Sequence, residues 1–358
     1  MSLTDIANLR LISQQIAGTT FKTPKDMVAW MGAMQAQDYA MAKWAVGIRL
    51  ANSTEQVIET ALNNAEIIRS HLLRPTLHLV SADDIYWMLE LSAPQIIASL
   101  KSRHKELELS ETVFTKSNLI IERALSDGKH LIRGELIAEL RKAGITTDDN
   151  RAYHMIVRAE LDGIVCSGAR RSGVQTYALL AERVPKTKRL TKEEALASLA
   201  RKYFSSHGPA TLADFVWWSG LSTSDAQRAL EMVQSDLVSE AIDSQTYWFS
   251  NIASIPKTDG DRAYLLPAYD EFIISYRDRS ASLISENFKK AVSSNGVFRP
   301  VIVVNGQVTG IWKRTIKKDK VIVETEFFKQ PHKTRMSLID KAVVPYGQFL
   351  EKKVVIGI

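Results

Sequence analysis

Two glutamines, Gln35 and Gln37, are the residues whose type and spacing are hardest to explain by folding alone. They stand two apart in MQAQDYAMAKW (residues 34–44), a stretch that is otherwise largely apolar. A side-chain amide is neither acid nor base near neutral pH, but it combines a strong dipole with an acceptor oxygen and two donor hydrogens. A pair of amides can therefore hold a water molecule and stabilise positive charge that develops as a bond breaks.

The spacing of the two glutamines restricts the backbone that carries them. Residues i and i+2 point about 200° apart on an α-helix, so Gln35 and Gln37 cannot face one substrate from the middle of a helix. We predict that they lie in a non-helical turn between two helices, the second of which begins after Asp38. Asp38 is then an N-cap, and positioning or activating the water is the alternative for its carboxylate. From spacing alone, the competing interpretation is that Gln35 is merely exposed to solvent and that Gln37 is a linker residue without a function.

The composition is that of an ordered globular protein with a mild excess of positive charge. Of the 358 residues, 45% are hydrophobic and 24% are charged, and the net charge is +6 with a pI near 9.2. A chain of this length exceeds one typical core, so about two to four domains are expected. The positive charge suits a polyanionic partner without requiring one.

Several classes of protein are disfavoured by the sequence. Cys166 is the single cysteine, which excludes an intramolecular disulfide and a cysteine-rich zinc site. The seven histidines are scattered, and no Gly-rich phosphate loop, HExxH or GxSxG motif occurs, so we expect no metal and no cofactor. The N-terminus lacks a leader pattern and no apolar run approaches about 18 residues. We therefore expect a cytoplasmic, soluble monomer without a membrane partner.

The fold class that we predict is α+β, built from repeated helix–helix–hairpin units. In the middle of the chain, residues 133–143 and 149–162 have helical apolar spacing, and the strand-like segments GIVCSG and VQTYALL follow around the turn ARRSG. This order is that of a winged helix, a helix-turn-helix variant whose second helix commonly enters a DNA groove. Arg170 and Arg171 fall at the hairpin tip, where they either reach phosphates or are merely solvated.

The same pattern recurs on both sides of this unit. After residue 207, helices are predicted at 211–219 and 222–234, followed by a hairpin. The first 80 residues fit more loosely, with predicted helices and strands at 4–17, 24–34, 38–50, 54–63, 67–73 and 76–80. We therefore predict three tandem winged-helix domains, at 1–115, 116–185 and 186–254.

The C-terminal part, residues 255–358, is predicted to be a small, mostly antiparallel β-barrel-like domain with a terminal helix. Two β-branched runs flank Asn305-Gly306, a pair favoured in the two-residue type I′ hairpin turn. A third strand, KVIVETEFF, follows, and a helix from about 334 to 350 ends the domain.

Basic side chains beside aromatic ones are further candidates for contact with nucleic acid. The stretches WKRTIKKDK (312–320) and YDEFIISYRDRS (269–280) contain seven basic residues, of which the candidates for DNA contact are Lys313, Arg314, Arg277 and Arg279. Such cations pair with phosphates while rings pack on sugars or bases. The alternative is that Asp270, Glu271 and Asp278 neutralise them in ordinary surface ion pairs. Arg74, in LLRPTLHLV, either contacts DNA or fixes its turn through hydrogen bonds to carbonyls.

Five segments resemble, in order along the chain, those of the winged-helix DNA glycosylases of the AlkZ/YcaQ type. They are MQAQDYA, LLRPTLHLV, HGPATLADFVWWSGL, LLPAYDEFIISYRDR and VNGQVTGIWKR, and the resemblance runs from about residue 8 to 350. It implies a C-shaped molecule of three tandem winged helices and a C-terminal β-barrel. It also implies that the catalytic residues are the glutamines of a Gln–apolar–Gln motif, here Gln35 and Gln37.

The activity that this resemblance implies is excision of alkylated bases from double-stranded DNA, notably N7-alkylguanine, and in some members the unhooking of interstrand crosslinks. The Gln–apolar–Gln form is associated more with unhooking. An N7-alkylated purine already carries a positive charge and leaves as a neutral base, so a site without a catalytic carboxylate is sufficient. We therefore predict a monofunctional DNA glycosylase. The alternative is a non-enzymatic winged-helix DNA-binding protein, such as a transcriptional regulator, which would have no use for paired glutamines at an interior turn.

Overall fold

The computed structural model describes residues 1–186, 189–251, 261–330 and 333–357. Within these ranges, sixteen α-helices and thirteen β-strands form a mixed α+β fold with four sheets. The predicted domain boundary at 254/255 falls between two of these ranges and so lies outside the described residues. No helix of the described part is both long enough and apolar enough to cross a bilayer.

The N-terminal part contributes four helices, a three-stranded sheet and a long helix. Their bounds are α1 Leu3–Ser13, α2 Pro24–Met31, β1 Ala33–Gln35, α3 Tyr39–Gly47, α4 Glu55–Asn63, β2 Ile67–Leu72, β3 Thr76–Ser81 and α5 Ile85–Glu106. The sheet is antiparallel in the order β1-β3-β2, so β1 is an edge strand. The helix predicted over 24–34 is shorter than expected, because Gly32 adopts a φ of 75° directly after α2 and the next residues pair with β3.

The middle part has the predicted helix–helix–hairpin order. Its elements are α6 Glu111–Leu125, β4 Leu131–Ile132, α7 Arg133–Lys142, α8 Arg151–Leu161, β5 Val165–Ser167, β6 Thr176–Leu179 and α9 Leu180–Arg183. Helix α8 takes the place of the helix that reads DNA in a simple winged helix, but it packs on α5 and β2. Eight of its eleven residues are buried. This helix therefore joins two parts of the molecule, and a groove-binding role for it is incompatible with this packing.

The third part repeats the order with an exposed hairpin. Its elements are α10 Lys192–His207, α11 Leu212–Ser219, α12 Thr223–Glu231, β7 Leu237–Ile242 and β8 Gln245–Ser250. Thr211 caps α11 and Ser222 caps α12, each accepting a hydrogen bond from a backbone N–H of the first turn. The two caps explain why the sequence breaks into helices at these points.

The C-terminal part is a curled five-stranded sheet with short helices. Its elements are β9 Ala263–Leu266, α13 Glu271–Ile274, α14 Phe288–Ala291, β10 Val301–Val304, β11 Gln307–Ile316, β12 Lys320–Phe327, α15 Lys333–Ala342, α16 Val344–Phe349 and β13 Lys353–Gly357. The Asn305-Gly306 turn forms as predicted, with φ of 49° and 79°. Three of the four strand pairings in this sheet are antiparallel, in line with the prediction of a mostly antiparallel domain. Strand β13 pairs parallel to β12, because α15 and α16 carry the chain back across the sheet before it begins.

The hydrophobic cores cross the boundaries between these parts. One buried cluster joins Ile68 of β2 with Leu180 and with Trp218 of α11. Another joins Met34 and Trp44, from the stretch that carries the glutamines, with the C-terminal sheet and its helices. The N-terminal sheet is thus packed between the third part and the C-terminal sheet, and its edge strand β1 lies where they meet.

Candidate active site

The two glutamines lie at the end of the edge strand, outside any helix. Gln35 is the last residue of β1 and pairs opposite His78 of β3. Gln37 lies in the bend that follows, and α3 begins two residues later. Because side chains alternate along an extended chain, residues two apart project to the same side. Gln35 is 6% exposed, whereas Gln37 is exposed to solvent.

Two charged residues hold Gln35. Arg74 Nη2 donates a hydrogen bond to Gln35 Oε1 at 3.0 Å. Since an arginine has only donors, this contact identifies the amide oxygen and turns the NH₂ group away from Arg74. On the backbone side, the Gln35 N–H donates to Glu271 Oε1 at 2.5 Å. The orientation of the Gln35 amide is therefore set before any substrate arrives.

The next two residues are held as firmly. Arg69 donates from Nε and Nη2 to the Ala36 carbonyl at 2.9 and 2.8 Å, a two-pronged contact. The Ala36 N–H donates to the Leu77 carbonyl at 2.7 Å. The Leu77 N–H in turn donates to Gln37 Oε1 at 3.0 Å. The side-chain amide of Gln37 therefore bonds to β3 at a point where the backbone of Gln37 is no longer part of the sheet.

The donor groups of both amides remain available. Among the residues that the structure describes, the NH₂ groups of Gln35 and Gln37 have no hydrogen-bond partner, and each amide oxygen keeps a second lone pair beyond its single donor. The arrangement can hold a small polar molecule, such as water, beside two fixed dipoles. It contains no side chain that would act as a general acid.

Glu271 is the buried anion of this site. It is 1% exposed and accepts hydrogen bonds from Trp218 Nε1, at 3.2 Å, and from the Ser275 hydroxyl, besides the Gln35 N–H. Burial alone would raise the pKa of Glu271, but the His207 imidazole, the Ser275 hydroxyl and the Gln35 N–H outweigh burial and bring the pKa to about 2. The carboxylate is thus charged at neutral pH.

A neutral histidine stands opposite Gln35 in the sheet. His78 is fully buried, its Nδ1 lies 3.0 Å from the Thr76 carbonyl, and burial together with Arg74 lowers its pKa to about 3. Nδ1 therefore carries the proton and donates it to that carbonyl. The opposite nitrogen, Nε2, has no partner among the described residues.

Asp38 serves as the N-cap of α3. Its side chain accepts the Met41 N–H at 3.0 Å, and Arg314 Nη2 of the C-terminal sheet lies 3.9 Å away. The next residue, Tyr39, donates its hydroxyl to Glu59 at 3.0 Å, and the Arg170 guanidinium covers its ring at 4.4 Å. The cap role fits both the prediction and the geometry, and a role toward water stays a prediction.

The hairpin of the middle part reaches this site. Arg69 donates its backbone N–H to Ser167 Oγ at 3.0 Å, and its Nη1 donates to Gln175 Oε1. Arg170 packs on Tyr39, whereas Arg171 pairs with Glu135 at 2.6 Å. Both predicted phosphate contacts are therefore engaged within the protein, and their contact with DNA stays a prediction.

The other basic candidates fall into two groups. Lys313 on β11 and Arg277 are exposed, and neither has an ion-pair partner among the described residues. Arg279 is half-buried, donates from Nε to the Ile273 carbonyl at 2.9 Å, and has its pKa lowered to about 10 by burial. Arg314 lies against Asp38 and Arg74 against Gln35. Of the two alternatives for Arg74, hydrogen bonds from its guanidinium to carbonyls of the turn are not found among the described residues, where the guanidinium binds Gln35 instead.

The interpretation of Asp270 and Glu271 as surface residues was wrong. Asp270 is 2% exposed and pairs with Arg49, whose Nη1 and Nη2 both approach its carboxylate at 2.8 Å. Both carboxylates were assigned to the surface because Arg277, Asp278 and Arg279 follow in the same stretch, and mixtures of acidic and basic residues are commonly surface ion pairs. The signal that could have identified them is FII directly after Asp270-Glu271, an apolar run typical of the interior.

Sequence reasoning also missed Arg69. It lies in IIRSHL, a strand whose six residues are all buried, and a charged residue in such a strand needs a specific partner. No cluster of three or more metal-ligating side chains occurs in the part of the chain that the structure describes.

The chain is similar to known proteins in both sequence and overall fold. Residues 28–349 match the family model described as "DNA glycosylase AlkZ-like". A curated relative, "Interstrand DNA cross-link repair glycosylase" of Streptomyces sahachiroi, is 23% identical over 348 residues, covering 89% of this chain and 88% of its own. The solved structure "Streptomyces sahachiroi DNA glycosylase AlkZ" superimposes with a TM-score of 0.82 at 18% identity, over 100% of both chains.

Proposed function

Because the chain belongs to the AlkZ-like DNA glycosylase family, we propose that Gln35 and Gln37 hydrolyse the N-glycosidic bond of cationic alkylated purines in double-stranded DNA. The substrate that fits best is N7-alkylguanine. Membership in a family of DNA glycosylases favours the enzyme over the alternative interpretation, a non-enzymatic DNA-binding regulator. The observation that carries the catalytic assignment is the stretch Gln35–Gln37, whose two amide oxygens are each fixed by one donor and, among the described residues, keep a second lone pair for a water molecule or a cationic sugar.

The mechanism follows from the charge of the base. A cationic purine leaves as a neutral molecule, so no acid is needed, while the sugar acquires the positive charge of an oxocarbenium ion. Fixed amide dipoles stabilise this charge without reorganising. We assign the water to Gln37, which is exposed, and the sugar to Gln35, which is buried and held from two sides.

Glu271 has a supporting role in this mechanism. Arg74 touches the Gln35 oxygen, and an uncompensated guanidinium so close would oppose a second positive charge on the sugar. The ionised Glu271 carboxylate, which is bonded to the Gln35 backbone, balances that charge. A neutral base, which departs only if protonated, would find no acid here, so the site predicts a narrow substrate class.

The first test is excision from a duplex that contains one N7-methylguanine, followed by alkali to cleave abasic sites. We expect strand scission with the wild-type protein and its loss in Gln35→Ala and Gln37→Ala. Gln56→Ala is the matched control, because Gln56 is an exposed glutamine on α4. A duplex with an uncharged damaged base should stay intact. Equal scission by wild type and both variants would refute the assignment.

Crosslink unhooking is a finer proposal on the same site. It is supported by the Gln–apolar–Gln form of the motif and by the name of the Streptomyces relative. An exposed Gln37 at a strand edge would also tolerate a lesion still tethered to the second strand. Incubation of a duplex crosslinked through two guanine N7 atoms, followed by a denaturing gel, should release two single strands.

The architecture and the DNA contacts complete the proposal. The repeat of helices and hairpin in α7–β6 and α11–β8, with the looser N-terminal version, supports three tandem winged helices. We keep Arg74, Arg170, Arg171, Arg277, Arg279, Lys313 and Arg314 as the candidates for DNA contact. Arg277 and Lys313 are the strongest of them, because they are exposed. A cytoplasmic monomer stays a prediction, which sedimentation can test for the oligomeric state.

A further inference from the structure

Two consecutive tryptophans on α11 have opposite environments. Trp218 is fully buried, and its indole N–H donates to Glu271 Oε2 at 3.2 Å. Trp217 is 41% exposed, although its indole N–H donates to the Ile274 carbonyl at 2.8 Å. Neighbouring residues on a helix point about 100° apart, so one ring supports the site from within while the other reaches its surface.

The exposed ring lies beside the glutamines. The Arg74 guanidinium carbon is 5.8 Å from the centre of the Trp217 ring, and the same guanidinium donates to Gln35 Oε1 at 3.0 Å. The end of α11 is packed tightly on this turn, because a Cβ added at Gly220 would lie 2.6 Å from the Leu73 carbonyl oxygen. A single arginine side chain therefore separates the indole from the Gln35 amide.

The contacts of Trp217 within the chain, a hydrogen bond to Ile274 and the nearby guanidinium groups of Arg74 and Arg279, still leave the residue 41% exposed. A large aromatic side chain contributes most to stability when it is buried, and a rigid exposed one marks a contact site. Its hydrogen bond to Ile274 fixes the orientation of the ring, so little side-chain entropy would be lost on binding. These features are those of a surface on which a flat ligand stacks.

We infer that Trp217 forms a stacking platform for a neutral, unstacked nucleobase next to the lesion. The inference rests on the proposed function and assigns a second binding subsite to it. The charges nearby select the occupant. Arg74 and Arg279, the latter 5.3 Å from the ring centre, surround the indole with positive charge. A cationic alkylpurine would be repelled there, whereas a neutral base would stack and its phosphate would pair with the guanidinium groups.

The platform gives the enzyme a way to hold the duplex open at the damaged pair. A base that leaves the stack loses its neighbours, and the indole face replaces one of them. The damaged nucleotide is then free to approach Gln35, while the neighbouring base stays on Trp217. Binding the base next to the lesion is also compatible with bulky lesions, because the lesion itself does not have to stack on an aromatic side chain.

The test uses binding without cleavage. A duplex with 2′-fluoro-N7-methylguanosine resists hydrolysis, because the fluorine disfavours positive charge on the sugar. Two versions are compared, one with the neighbouring pair matched and one with it mismatched. We expect the wild type to bind the mismatched duplex roughly tenfold more tightly, since its base unstacks more readily and stacking replaces the lost contact. Trp217→Phe, which keeps a ring, should retain this preference.

Two further variants complete the series. Trp217→Leu keeps an apolar side chain, although a smaller one, without a ring, and Trp217→Ala removes almost all of the side chain; each variant should bind the two duplexes alike. Tyr153→Leu on α8 is the control, because Tyr153 is an aromatic of similar exposure, at 39%. Thermal melting verifies that all variants fold. A wild-type preference in Trp217→Leu would overturn the platform.

A photocrosslink locates the base. With 5-bromouracil next to the lesion in the uncleaved complex, irradiation should join that position to Trp217, as read by peptide mapping. Crosslinking only from distant positions would overturn the inference. Failure of the proposed function is a separate outcome: a wild type that does not excise N7-methylguanine refutes the glutamine chemistry, whereas normal excision with Trp217→Leu binding like wild type refutes the platform alone.

Discussion

The strand edge that carries the glutamines and the basic hairpin of the C-terminal sheet use charged residues in opposite ways. At the edge, Arg69 and Glu271 are buried. Arg69 donates to the Ala36 carbonyl, and Glu271 accepts a hydrogen bond from the Gln35 N–H. On the hairpin of β11 and β12, Lys313 and residues 317–319 are exposed to solvent. Buried charges fix geometry, whereas exposed charges act over a distance and are screened by salt.

The contrast shows that similar charges in the sequence have different tasks. A buried arginine is bound to one partner and cannot respond to a ligand without breaking that bond. An exposed lysine has no fixed geometry, but it can release a counterion when it meets a phosphate. The edge should therefore control the rate of the chemical step, and the hairpin should control association. Variants of each region can separate the two.

The largest expected effect is that of a glutamine itself. Gln37→Ala removes the amide that we assign to the water, and the excision rate at saturating DNA should fall by about 10²–10³-fold. Affinity for an uncleavable duplex should hardly change. Single-turnover kinetics measure the first quantity and fluorescence anisotropy the second. A variant that loses affinity but keeps its rate would place Gln37 with the binding residues.

Glu271→Gln should have the next largest effect. It keeps the shape but removes the charge that balances Arg74, so the excision rate should fall by about 10- to 100-fold through loss of position and of negative potential. Glu122→Gln, on the exposed side of α6, is the matched control. The same single-turnover assay, with thermal melting to verify folding, measures the change. An unchanged rate in a folded variant would show that Glu271 is only structural.

Arg69→Lys tests the two-pronged contact to Ala36. Lysine keeps the charge but cannot donate two parallel hydrogen bonds to one carbonyl, so the rate should fall by about tenfold while KM stays close to wild type. Arg141→Lys, at an exposed ion pair on α7, is the control for the same replacement. A rise in KM alone would mean that Arg69 serves binding rather than positioning.

On the hairpin, Lys313→Ala should change binding and spare chemistry. The slope of log affinity against log salt should become shallower by about one unit, as for the loss of one phosphate contact. The single-turnover rate at saturating DNA should be that of wild type. Lys116→Ala, an exposed lysine on α6, provides the control. A wild-type salt slope in Lys313→Ala would remove this strand from the DNA contacts.

The smallest expected effect on rate is that of pH. The pKa of Glu271 is about 2 and that of His78 about 3, so neither titrates near neutrality. The saturated rate should be flat between about pH 5.5 and 8.5. Stability should behave differently. His78 has a folded pKa below the unfolded value near 6.5, so its contribution is complete above about pH 6.5 and declines as the pH falls toward 3. Urea melts at several pH values measure this decline.

Local pattern in the sequence predicted much of the fold. The type I′ turn at Asn305-Gly306, the N-cap at Asp38 and the helix pairs of the middle and third parts depend on residues close in sequence, and all are present. The spacing of Gln35 and Gln37 was sufficient to exclude a helix. The end of α2 at Gly32 and the parallel strand β13 were not predicted, because both depend on pairing with distant segments.

What the sequence determined by itself is the family, the α+β class and the identity of the two amides, since residue type and short-range spacing carry that information. Only the tertiary structure decided which charges surround them. Glu271 meets Gln35 across 236 positions of chain, and Trp217 reaches the same place from a third part of the molecule. The physical reason is that burial and charge pairing depend on how separate elements pack. A glutamate in the sequence is the same residue whether it ends up solvated or, like Glu271, buried against the strand that carries Gln35.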